Sequence, residues 1–419
     1  MKKVIIVGGG FAGLNLAKKI SQSDKFQITL VDKNNYHFFP PLLYQVGTAF
    51  IEPSNISYPF RKLFQGRNIR YYMGSLVEMV AEQKTIITDN GTLEYDYLVL
   101  AMGTETNFFG NEQIAKNAFP MKTLDEALSM RNHILMQLEK ATRTTDLKEK
   151  SQLANIVIAG GGPTGVELAG MIAEMSRNLL HKDYPGANLN HGKIYLIDGL
   201  NSLLAPMSAK SQEEAKNVLH NLGVQIVLNT LVKDYDGKEV QLSDGSAIPA
   251  ATLIWASGVI ARQVPGIPEA AVGKGKRILV DDYNRVLGLE NVFAIGDQCL
   301  QTGDVAFPNG HPQLAQVAIQ QGNLLGKNLI DLERGTALKK FIYNDKGSMA
   351  IIAKFKAVVD LPKGFYKGIL AWLIWLFIHI IPIAGFRNKV KLAFSWLWSF
   401  ITNDPTLRLI IRPKKDHNM

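Results

Sequence analysis

The segment that decides the fold reads Val4-Ile5-Ile6-Val7-Gly8-Gly9-Gly10-Phe11-Ala12-Gly13. Four β-branched residues in a row are typical of a parallel strand that is buried on both faces. The glycines then follow the pattern G-x-G-x-x-G, and apolar residues at helical spacing continue to Ile20. A strand, a glycine turn and a helix in this order predict a dinucleotide site whose phosphates lie at the helix N-terminus.

A second strand, Gln27-Ile28-Thr29-Leu30-Val31, supports this interpretation because it ends at Asp32. An acidic residue at about this spacing hydrogen-bonds a ribose hydroxyl in such sites. The first glycine permits the tight turn, the second lets the backbone approach a pyrophosphate, and the third lets helix and strand pack closely. The alternative is a glycine-rich turn without a nucleotide. The predicted contact residues of this first site are Gly8, Gly9, Gly10, Phe11, Ala12, Gly13, Asp32 and Lys33.

The same arrangement recurs about 150 residues further along the chain, as a repeated domain would. Asn155-Ile156-Val157-Ile158-Ala159 leads into Gly160, Gly162 and Gly165, again spaced as G-x-G-x-x-G, and a helical segment follows. The next strand, residues 193–197, ends at Asp198. An acidic residue at this place favours NADH over NADPH, because its charge would repel a 2′-phosphate.

Each glycine pattern is followed by a closing strand, within residues 94–104 and 251–258. A further buried strand, residues 291–295, ends at Gly296-Asp297. An unpaired carboxylate there would be costly, whereas a ribityl or ribose hydroxyl would satisfy it. These features predict an α/β fold with two Rossmann-like dinucleotide-binding domains, in which the second domain is inserted into the first.

Composition limits the chemistry of the 419-residue chain. Its single cysteine, Cys299, excludes a disulfide framework, a redox cysteine pair and a multi-cysteine metal or iron–sulfur site. Any redox reaction therefore needs a borrowed cofactor. No histidine has a second histidine at ligand spacing, so no metal site is predicted. The net charge of +9 fits an anionic membrane, a nucleic acid or an acidic ligand. The first apolar stretch is too short for a signal peptide, and we expect a cytoplasmic location.

Together these motifs resemble the flavoproteins with two dinucleotide-binding domains, in which the first glycine pattern holds FAD and the inserted one holds NAD(P)H. The resemblance implies that Asp297 meets the ribityl chain of FAD, that Gly103 closes the FAD domain, and that the backbone at Leu76 lies against adenine. Disulfide reductases and sulfide:quinone oxidoreductases of this superfamily need more than one cysteine, so neither activity fits. Within the superfamily the chain is most similar to type II NADH dehydrogenases, through residues 35–46, 313–322 and 347–354 and a tryptophan-rich tail.

Three residues are candidates for the quinone chemistry that this resemblance implies. Gln316 and Gln320 lie four apart and would present amides on one helix face, which suits a quinone carbonyl. The alternative interpretation is that Gln316 and Gln320 are ordinary polar residues on the surface of a helix. Glu167 follows Gly165 by two residues, where the family has a glutamate near the nicotinamide and the quinone route. It would deliver protons or position substrate; the alternative is an ordinary first-turn glutamate favoured by the helix dipole.

The tail predicts contact with a membrane. Residues 368–386 are nearly all apolar and approach the roughly 20 residues that span a bilayer, but His379 and Pro382 argue against spanning. A second apolar segment, residues 392–401, is too short to cross. From residue 387 onward, seven basic and two acidic side chains favour an anionic surface, with both segments lying as interfacial helices. A single transmembrane helix and a buried dimer interface are the alternatives. Nucleic-acid binding is not predicted, because the basic residues lie beside lipid-like sequence.

The resulting hypothesis is a non-proton-pumping NADH:quinone oxidoreductase on the cytoplasmic face of the cell membrane. FAD is expected in residues 1–115 and 280–345, NADH in residues 150–265, and membrane binding in residues 346–419. The substrate would be a membrane quinone, either menaquinone or ubiquinone. Whether the chain forms a homodimer stays open. The alternatives are a soluble or sensing NADH-dependent flavoprotein with a protein electron acceptor, and a binding module without a flavin.

Overall fold

The computed structural model describes residues 1–185, 192–402 and 408–410. The chain divides into two compact units, each assembled from three separate segments. The first unit comprises Met1–Phe38, Ser57–Glu105 and Val259–Lys346. The second comprises Phe39–Ile56, Thr106–Gly258 and Gly347–Met419. Because Thr106–Gly258 interrupts the sequence of the first unit, the predicted insertion of one Rossmann-like domain into another is confirmed.

A five-stranded parallel sheet forms the centre of the first unit. Its order is Val292–Ala294, Tyr97–Leu100, Lys2–Val7, Phe26–Asp32 and Ile69–Met73. The central strand is buried from Val4 to Val7, as its β-branched run predicts. Since Val7 is in register with Val31, the turn at Gly8 and the carboxylate of Asp32 lie at the same edge of the sheet.

Two helices, Phe11–Ile20 and Ala315–Leu332, cover this sheet and pack tightly on each other. A side chain at Gly322 would collide with the carbonyl of Ala12, so glycine sets their close approach. The opposite face of the sheet packs on a second apolar core. The first unit also contains the helix Phe60–Leu63, the 3₁₀ helices Glu269–Ala271, Lys274–Lys276 and Gly296–Gln298, and the strands Tyr36–Phe38, Ser57–Pro59, Leu76–Val80, Thr85–Thr88, Gly91–Glu94, Val259–Ala261, Ile278–Leu279 and Cys299–Leu300.

The second unit has its own five-stranded parallel sheet. Its order is Phe119–Pro120, Thr252–Trp255, Ile156–Ala159, Ile194–Ile197 and Gln225–Val227. A small antiparallel sheet of Val232–Tyr235, Glu239–Leu242 and Ala247–Pro249 shares an apolar core with it. The helices of this part are Glu112–Asn117, Leu124–Ala141, Leu147–Ala154, Pro163–Asp183 and Ala209–Asn221.

The C-terminal part of the second unit is an antiparallel sheet followed by two helices. The strands are Ser348–Ala353, Lys356–Leu361 and Gly364–Lys367, and the helices are Gly368–Ile380 and Phe386–Thr402. A side chain at Gly170 would meet the carbonyl of Ile352, so the first strand packs directly on the helix Pro163–Asp183. Two short helices, Leu43–Gly47 and Pro53–Ile56, contact the tail. In the second of them, Asn55 Nδ2 donates to Ser395 Oγ at 2.9 Å.

The apolar run at residues 368–386 forms one helix of only 13 residues, Gly368–Ile380. A turn containing Pro382 and Gly385 follows, and the chain reverses into the helix Phe386–Thr402. Within the residues that the structure describes, no helix combines the length and the apolar character that crossing a membrane would require.

Candidate functional site

The first glycine turn leaves open space at one position only. Gly8 has a φ of 105°, which favours glycine, and a side chain there would collide with the carbonyl of Ala101. A side chain at Gly13 would collide with the carbonyl of Gly8. A Cβ atom at Gly10, in contrast, would meet no protein atom within 4 Å. Gly8 and Gly13 therefore serve the local packing, whereas Gly10 keeps the backbone accessible to a ligand.

The helix Phe11–Ile20 begins at this open position. Its N-cap, Gly10, has no side chain that could cap the helix, and no acidic residue lies in the first turn. The positive end of the helix dipole is thus not neutralised by a carboxylate of the helix itself. A pyrophosphate fits such a terminus, because backbone N–H groups and the dipole both favour an anion.

Asp32 lies beside the glycine turn and is fixed by two backbone donors. Its carboxylate accepts the N–H of Gly9 at 2.6 Å and the N–H of Asn34 at 2.8 Å. Burial raises the pKa of Asp32, while these hydrogen bonds and the nearby charge of Lys33 lower it. A carboxylate has about four lone-pair sites, so a ribose hydroxyl can still donate to it. The residues present therefore fit a dinucleotide of the FAD type.

The other predicted contacts of this site also lie in the first unit. Gly296 has a φ of 74°, and a Cβ atom there would lie 3.2 Å from the Cβ of Ala12. Asp297 therefore follows a turn that packs on the first-turn residues of the helix Phe11–Ile20. Gly103 also has a positive φ of 68° with open space around it, and Leu76 begins the strand Leu76–Val80. Contacts of these three residues with FAD remain a prediction.

Two buried histidines of the first unit, His37 and His311, contact other protein groups. His37 is 4% exposed, and its Nδ1 lies 2.9 Å from the carbonyl oxygen of Gly9. Burial lowers the pKa of His37 to about 4, so the ring is neutral at pH 7. His311 pairs with Asp304 at 2.9 Å in another buried cluster. Among the described residues, no group of three metal-ligating side chains occurs.

The second glycine turn repeats the first in its details. Gly160 has a φ of 111°, and a side chain at Gly165 would collide with the carbonyl of Gly160. Gly162, like Gly10, has no protein atom within 4 Å of an added Cβ. Asp198 accepts the N–H groups of Gly161 and Leu200, as Asp32 accepts those of Gly9 and Asn34.

Gly161 is a site residue that the sequence reasoning missed. A Cβ atom there would lie 2.7 Å from Leu203 Cδ2 and 3.1 Å from the Cβ of Asp198, so a side chain would displace the carboxylate. An alignment of the two glycine patterns identifies Gly161, because it occupies the same position as Gly9, which is among the predicted contact residues of the first site. The helix Pro163–Asp183 then begins with no acidic residue in its first turn, again leaving a terminus that suits a pyrophosphate.

Glu167 lies in the second turn of this helix and faces the interior of the second unit. It is only 9% exposed, and burial raises its pKa well above the ordinary value despite a hydrogen bond from the backbone of Ile351. Compared with an exposed glutamate, this carboxyl group is therefore shifted towards its protonated form. Glu167 does not lie in the first turn of the helix, where no acidic residue occurs, so the alternative of a first-turn glutamate favoured by the helix dipole does not explain its position.

Buried polar groups close to Glu167 are hydrogen-bonded to the tail. Tyr44 lies in the field of Glu167, and burial together with that charge raises its pKa well above the ordinary value. Gln45 Nε2 donates to Tyr44 Oη at 3.0 Å, and Trp396 Nε1 donates to Gln45 Oε1 at 2.8 Å. We call Tyr44, Gln45, Glu167 and Trp396 the Glu167 cluster. Sequence reasoning missed three of its members, although a glutamine inside the apolar run at residues 42–46 is a signal of a buried hydrogen bond.

The two predicted glutamines differ in what they contact in the first unit. Gln320 is engaged by the backbone of Asn344, donating at 3.0 Å and accepting at 3.1 Å. Gln316 lies in the first turn of Ala315–Leu332, is half-buried, and makes no side-chain hydrogen bond to the described residues. A third, unpredicted glutamine, Gln321, accepts the N–H of Gly296 at 2.7 Å and so fixes the turn before Asp297.

Cys299 is fully buried beside Gln321, and burial raises the pKa of its thiol to about 11. The thiol is therefore protonated and closed to solvent. A buried, protonated thiol behaves as a small hydrophobic side chain, so electron transfer depends on a bound cofactor.

Comparison with known proteins gives the class of protein that this fold and these sites define. Residues 2–322 match the family model of pyridine nucleotide-disulphide oxidoreductases, and the chain is a member of that family. Two type II NADH:quinone oxidoreductases of Mycobacterium tuberculosis are each 33% identical to it, over 416 residues (96% of this chain, 88% of the relative) and 417 residues (95% and 87%). The chain belongs to the type II NADH:quinone oxidoreductases, as its motifs predict.

Solved structures agree with this fold. NDH2 from Plasmodium falciparum, solved in complex with NADH, has a TM-score of 0.88 at 23% identity and covers 98% of this chain and 100% of its own. The sulfide:quinone oxidoreductase from Aquifex aeolicus has a TM-score of 0.72 at 18% identity, covering 97% of this chain and 92% of its own. Both likenesses concern the fold, and with the family they confirm the predicted fold class.

Proposed function

We infer that this protein is an FAD-dependent NADH:quinone oxidoreductase that does not pump protons. The observation that carries this inference is the paired glycine geometry, in a chain of the type II family. Gly10 and Gly162 are each open to a ligand at a helix N-terminus, beside an aspartate fixed by backbone donors. When bound, FAD supplies the ability to accept two electrons as a hydride and to return them to another acceptor.

The protein residues have separate tasks in this reaction. We propose that Gly8, Gly9, Gly10, Phe11, Ala12 and Gly13 hold the FAD pyrophosphate, with Asp32 on the ribose, Lys33 beside it, and Leu76, Gly103 and Asp297 as further contacts. Gly160, Gly162 and Gly165 hold NADH in the same way. Asp198 favours NADH because its carboxylate would repel the 2′-phosphate of NADPH.

Quinone reduction requires protons as well as electrons. Overall, NADH, one proton from solution and a quinone become NAD⁺ and a quinol. We propose that Glu167 holds a proton for this reaction, because burial favours its protonated form. Gln316 donates a hydrogen bond to a quinone carbonyl with its half-buried amide. The structure supports Gln320 as the residue that positions the loop at Asn344.

The glutamines provide the test of this function. In anaerobic stopped-flow measurements, NADH should bleach the flavin band, and a soluble quinone should restore it. Gln316→Leu should slow the recovery by about tenfold or more, the loss expected for one hydrogen bond to the reacting group, and should leave the bleaching unchanged. Gln320→Leu should instead lower the melting temperature, because it breaks two hydrogen bonds to Asn344. Bleaching of the wild-type protein without recovery would contradict the quinone assignment and favour a protein electron acceptor or a sensing role.

We further propose that the two tail helices bind a membrane surface without crossing it. Each helix buries one face, at Trp372 and Trp375 and at Leu392 and Trp396, and exposes another. The exposed apolar residues, which we call the tail face, are Ile369, Leu370, Leu373, Phe377, Ile381, Phe386, Val390, Phe394, Leu397, Trp398 and Ile401. Exposed apolar area of this extent on paired helices marks an interaction surface. Arg387, Lys389 and Lys391 follow the turn between the helices and favour anionic lipid headgroups on the cytoplasmic side.

Replacing Phe377, Phe394 and Trp398 together with serine should release the protein from vesicles that contain anionic lipid. Each of these side chains is at least half exposed, and burying one contributes about 1.5 to 3 kcal/mol, so binding should weaken at least a hundredfold. Co-sedimentation measures the effect. Val305→Ser is the control, because Val305 is equally apolar and 96% exposed in the first unit. Unchanged vesicle binding, or a dimer that dissociates in the variant, would assign the tail face to a protein interface.

A further inference from the structure

A small cavity inside the second unit adjoins the Glu167 cluster. Its volume is about 50 Å³, and Gln45, Glu174, Lys354, Trp372 and Trp375 are among the residues that line it. The indole N–H groups of Trp372 and Trp375 are buried and find no acceptor among the described residues. An unsatisfied buried donor costs about 1 to 3 kcal/mol. The cavity therefore suits a polar occupant, and at about 10 to 15 Å³ per water its volume admits a few water molecules.

Glu174 brings a second carboxyl group to this cavity. It follows Glu167 by seven residues, so both side chains lie on one face of the helix Pro163–Asp183, separated by about 10 Å along its axis. Its carboxylate accepts the N–H of Lys354 at 2.9 and 3.0 Å, just as Glu167 accepts that of Ile351. Glu167 is buried, whereas Glu174 is half-buried. The two carboxyl groups thus form a path from the surface towards the interior.

The charges around Glu174 are few. Burial raises the pKa of Glu174, and the backbone hydrogen bond and the charge of Lys354 lower it. The facing residues from the other elements, among them Gln45, Trp372, Trp375 and Phe400, do not titrate near neutral pH. The Nζ of Lys354 donates to the carbonyl of Phe400 at 2.7 Å. Burial thus shifts Glu174 towards its protonated form, and because the residue is only half-buried its carboxyl group stays close to solution.

We propose that Glu174 takes protons from solution and passes them across this cavity to Glu167; this inference rests on the proposed function. Glu167 gives its proton to an oxygen of the quinone as that oxygen gains electrons, and becomes a buried carboxylate. A proton leaves Glu174 and reaches Glu167 through hydrogen-bonded water in the cavity and the hydroxyl of Tyr44. Gln45 orients this hydroxyl by donating to it. Glu174 then regains a proton from solution, and no electron follows this path.

Glu174→Gln tests the proposal, because the amide oxygen can still accept the N–H of Lys354 but cannot carry the proton. Quinone-dependent recovery of the flavin band should slow about tenfold, less than the 10²-fold or more of a direct acid. Its solvent deuterium isotope effect should rise, and a small weak acid such as formic acid should restore the rate. Bleaching by NADH should not change. Glu214→Gln is the matched control, since Glu214 binds Lys367 elsewhere in the second unit.

Two further readouts separate a proton carrier from a structural residue. Glu174→Asp keeps a carboxyl group and should retain most of the rate, so equal losses in the Asp and Gln variants would overturn the proposal. In the wild-type protein without substrate, infrared spectroscopy should show a protonated carboxyl band that titrates and disappears in Glu174→Gln. Unchanged rate, isotope effect and infrared spectrum in Glu174→Gln would also overturn it. If wild-type protein is not reoxidised by quinone at all, the proposed function fails instead.

Discussion

Replacing Gly10 with alanine should give a folded protein that has lost its FAD, and replacing Gly162 with alanine should give a yellow protein that has lost NADH. Both glycines lie at helix N-termini where an added Cβ meets no protein atom within 4 Å. The backbone of Gly10, with φ −70° and ψ −165°, is also accessible to alanine. The added methyl group therefore leaves the polypeptide unstrained and occupies the space where a pyrophosphate approaches the backbone.

The expected loss of affinity in each case is at least a hundredfold, or about 2.7 kcal/mol. Flavin absorbance per protein measures the first variant, and the NADH dependence of flavin bleaching measures the second. Circular dichroism of the flavin-free proteins checks that Gly10→Ala folds like the wild type. Gly13→Ala is the contrasting control, because its side chain would collide with the carbonyl of Gly8 and should disturb the fold itself. If the Gly10→Ala protein keeps its full flavin content, the first glycine pattern does not bind FAD and the prediction is wrong.

The two glycine turns could be predicted from sequence because their information is local. A β-branched strand, a glycine spacing and a terminal aspartate lie within residues 4–32 in the first case. The structure adds the reason for each position, such as the hydrogen bond from Gly9 to Asp32. The same geometry in the second turn identifies Gly161, whose importance depends on a carboxylate 37 residues away.

The Glu167 cluster could not be predicted in the same way. Tyr44, Glu167 and Trp396 come from segments far apart in the chain, and no local pattern in any one of them specifies the other two. The roles of Gln316 and Gln320 also depend on contacts that a local sequence pattern does not specify. Gln316 and Gln320 are equivalent by helical spacing, but only the packing of the loop at Asn344 distinguishes a structural amide from an available one.

The tail shows how a single turn changes an interpretation based on hydrophobicity. The apolar run at residues 368–386 approaches the length of a bilayer, yet the helix ends at Ile380. Pro382 cannot continue a regular helix, and Gly385 adopts a φ of 81° that other residues rarely accept. The sequence analysis used His379 and Pro382 as evidence against a membrane-spanning helix. The turn that contains Pro382 agrees with that interpretation.

Replacing Glu167 with glutamine should slow quinone-dependent recovery of the flavin band by at least a hundredfold, the usual lower range for removal of a positioned acid. The amide fills the same space and can accept the N–H of Ile351, but it has no proton to give. Bleaching by NADH should proceed normally. Anaerobic stopped-flow absorbance separates the two half-reactions, and Glu214→Gln again serves as the control. Equal slowing of both half-reactions would assign Glu167 to the fold or to NADH binding rather than to proton delivery.

The same substitution should change how stability depends on pH. Since burial raises the pKa of Glu167 in the folded state, the native protein binds more protons than the unfolded chain between the ordinary value of 4.5 and the raised value. Stability must then fall as pH rises through this window. Glutamine does not titrate, so Glu167→Gln should match the wild type near the lower end of the window and melt progressively higher than it as pH increases. Melting temperatures across this range test the argument without any substrate. A difference that stays constant with pH would mean that Glu167 has no raised pKa, and a difference of opposite sign would mean that its carboxylate form is the stabilised one.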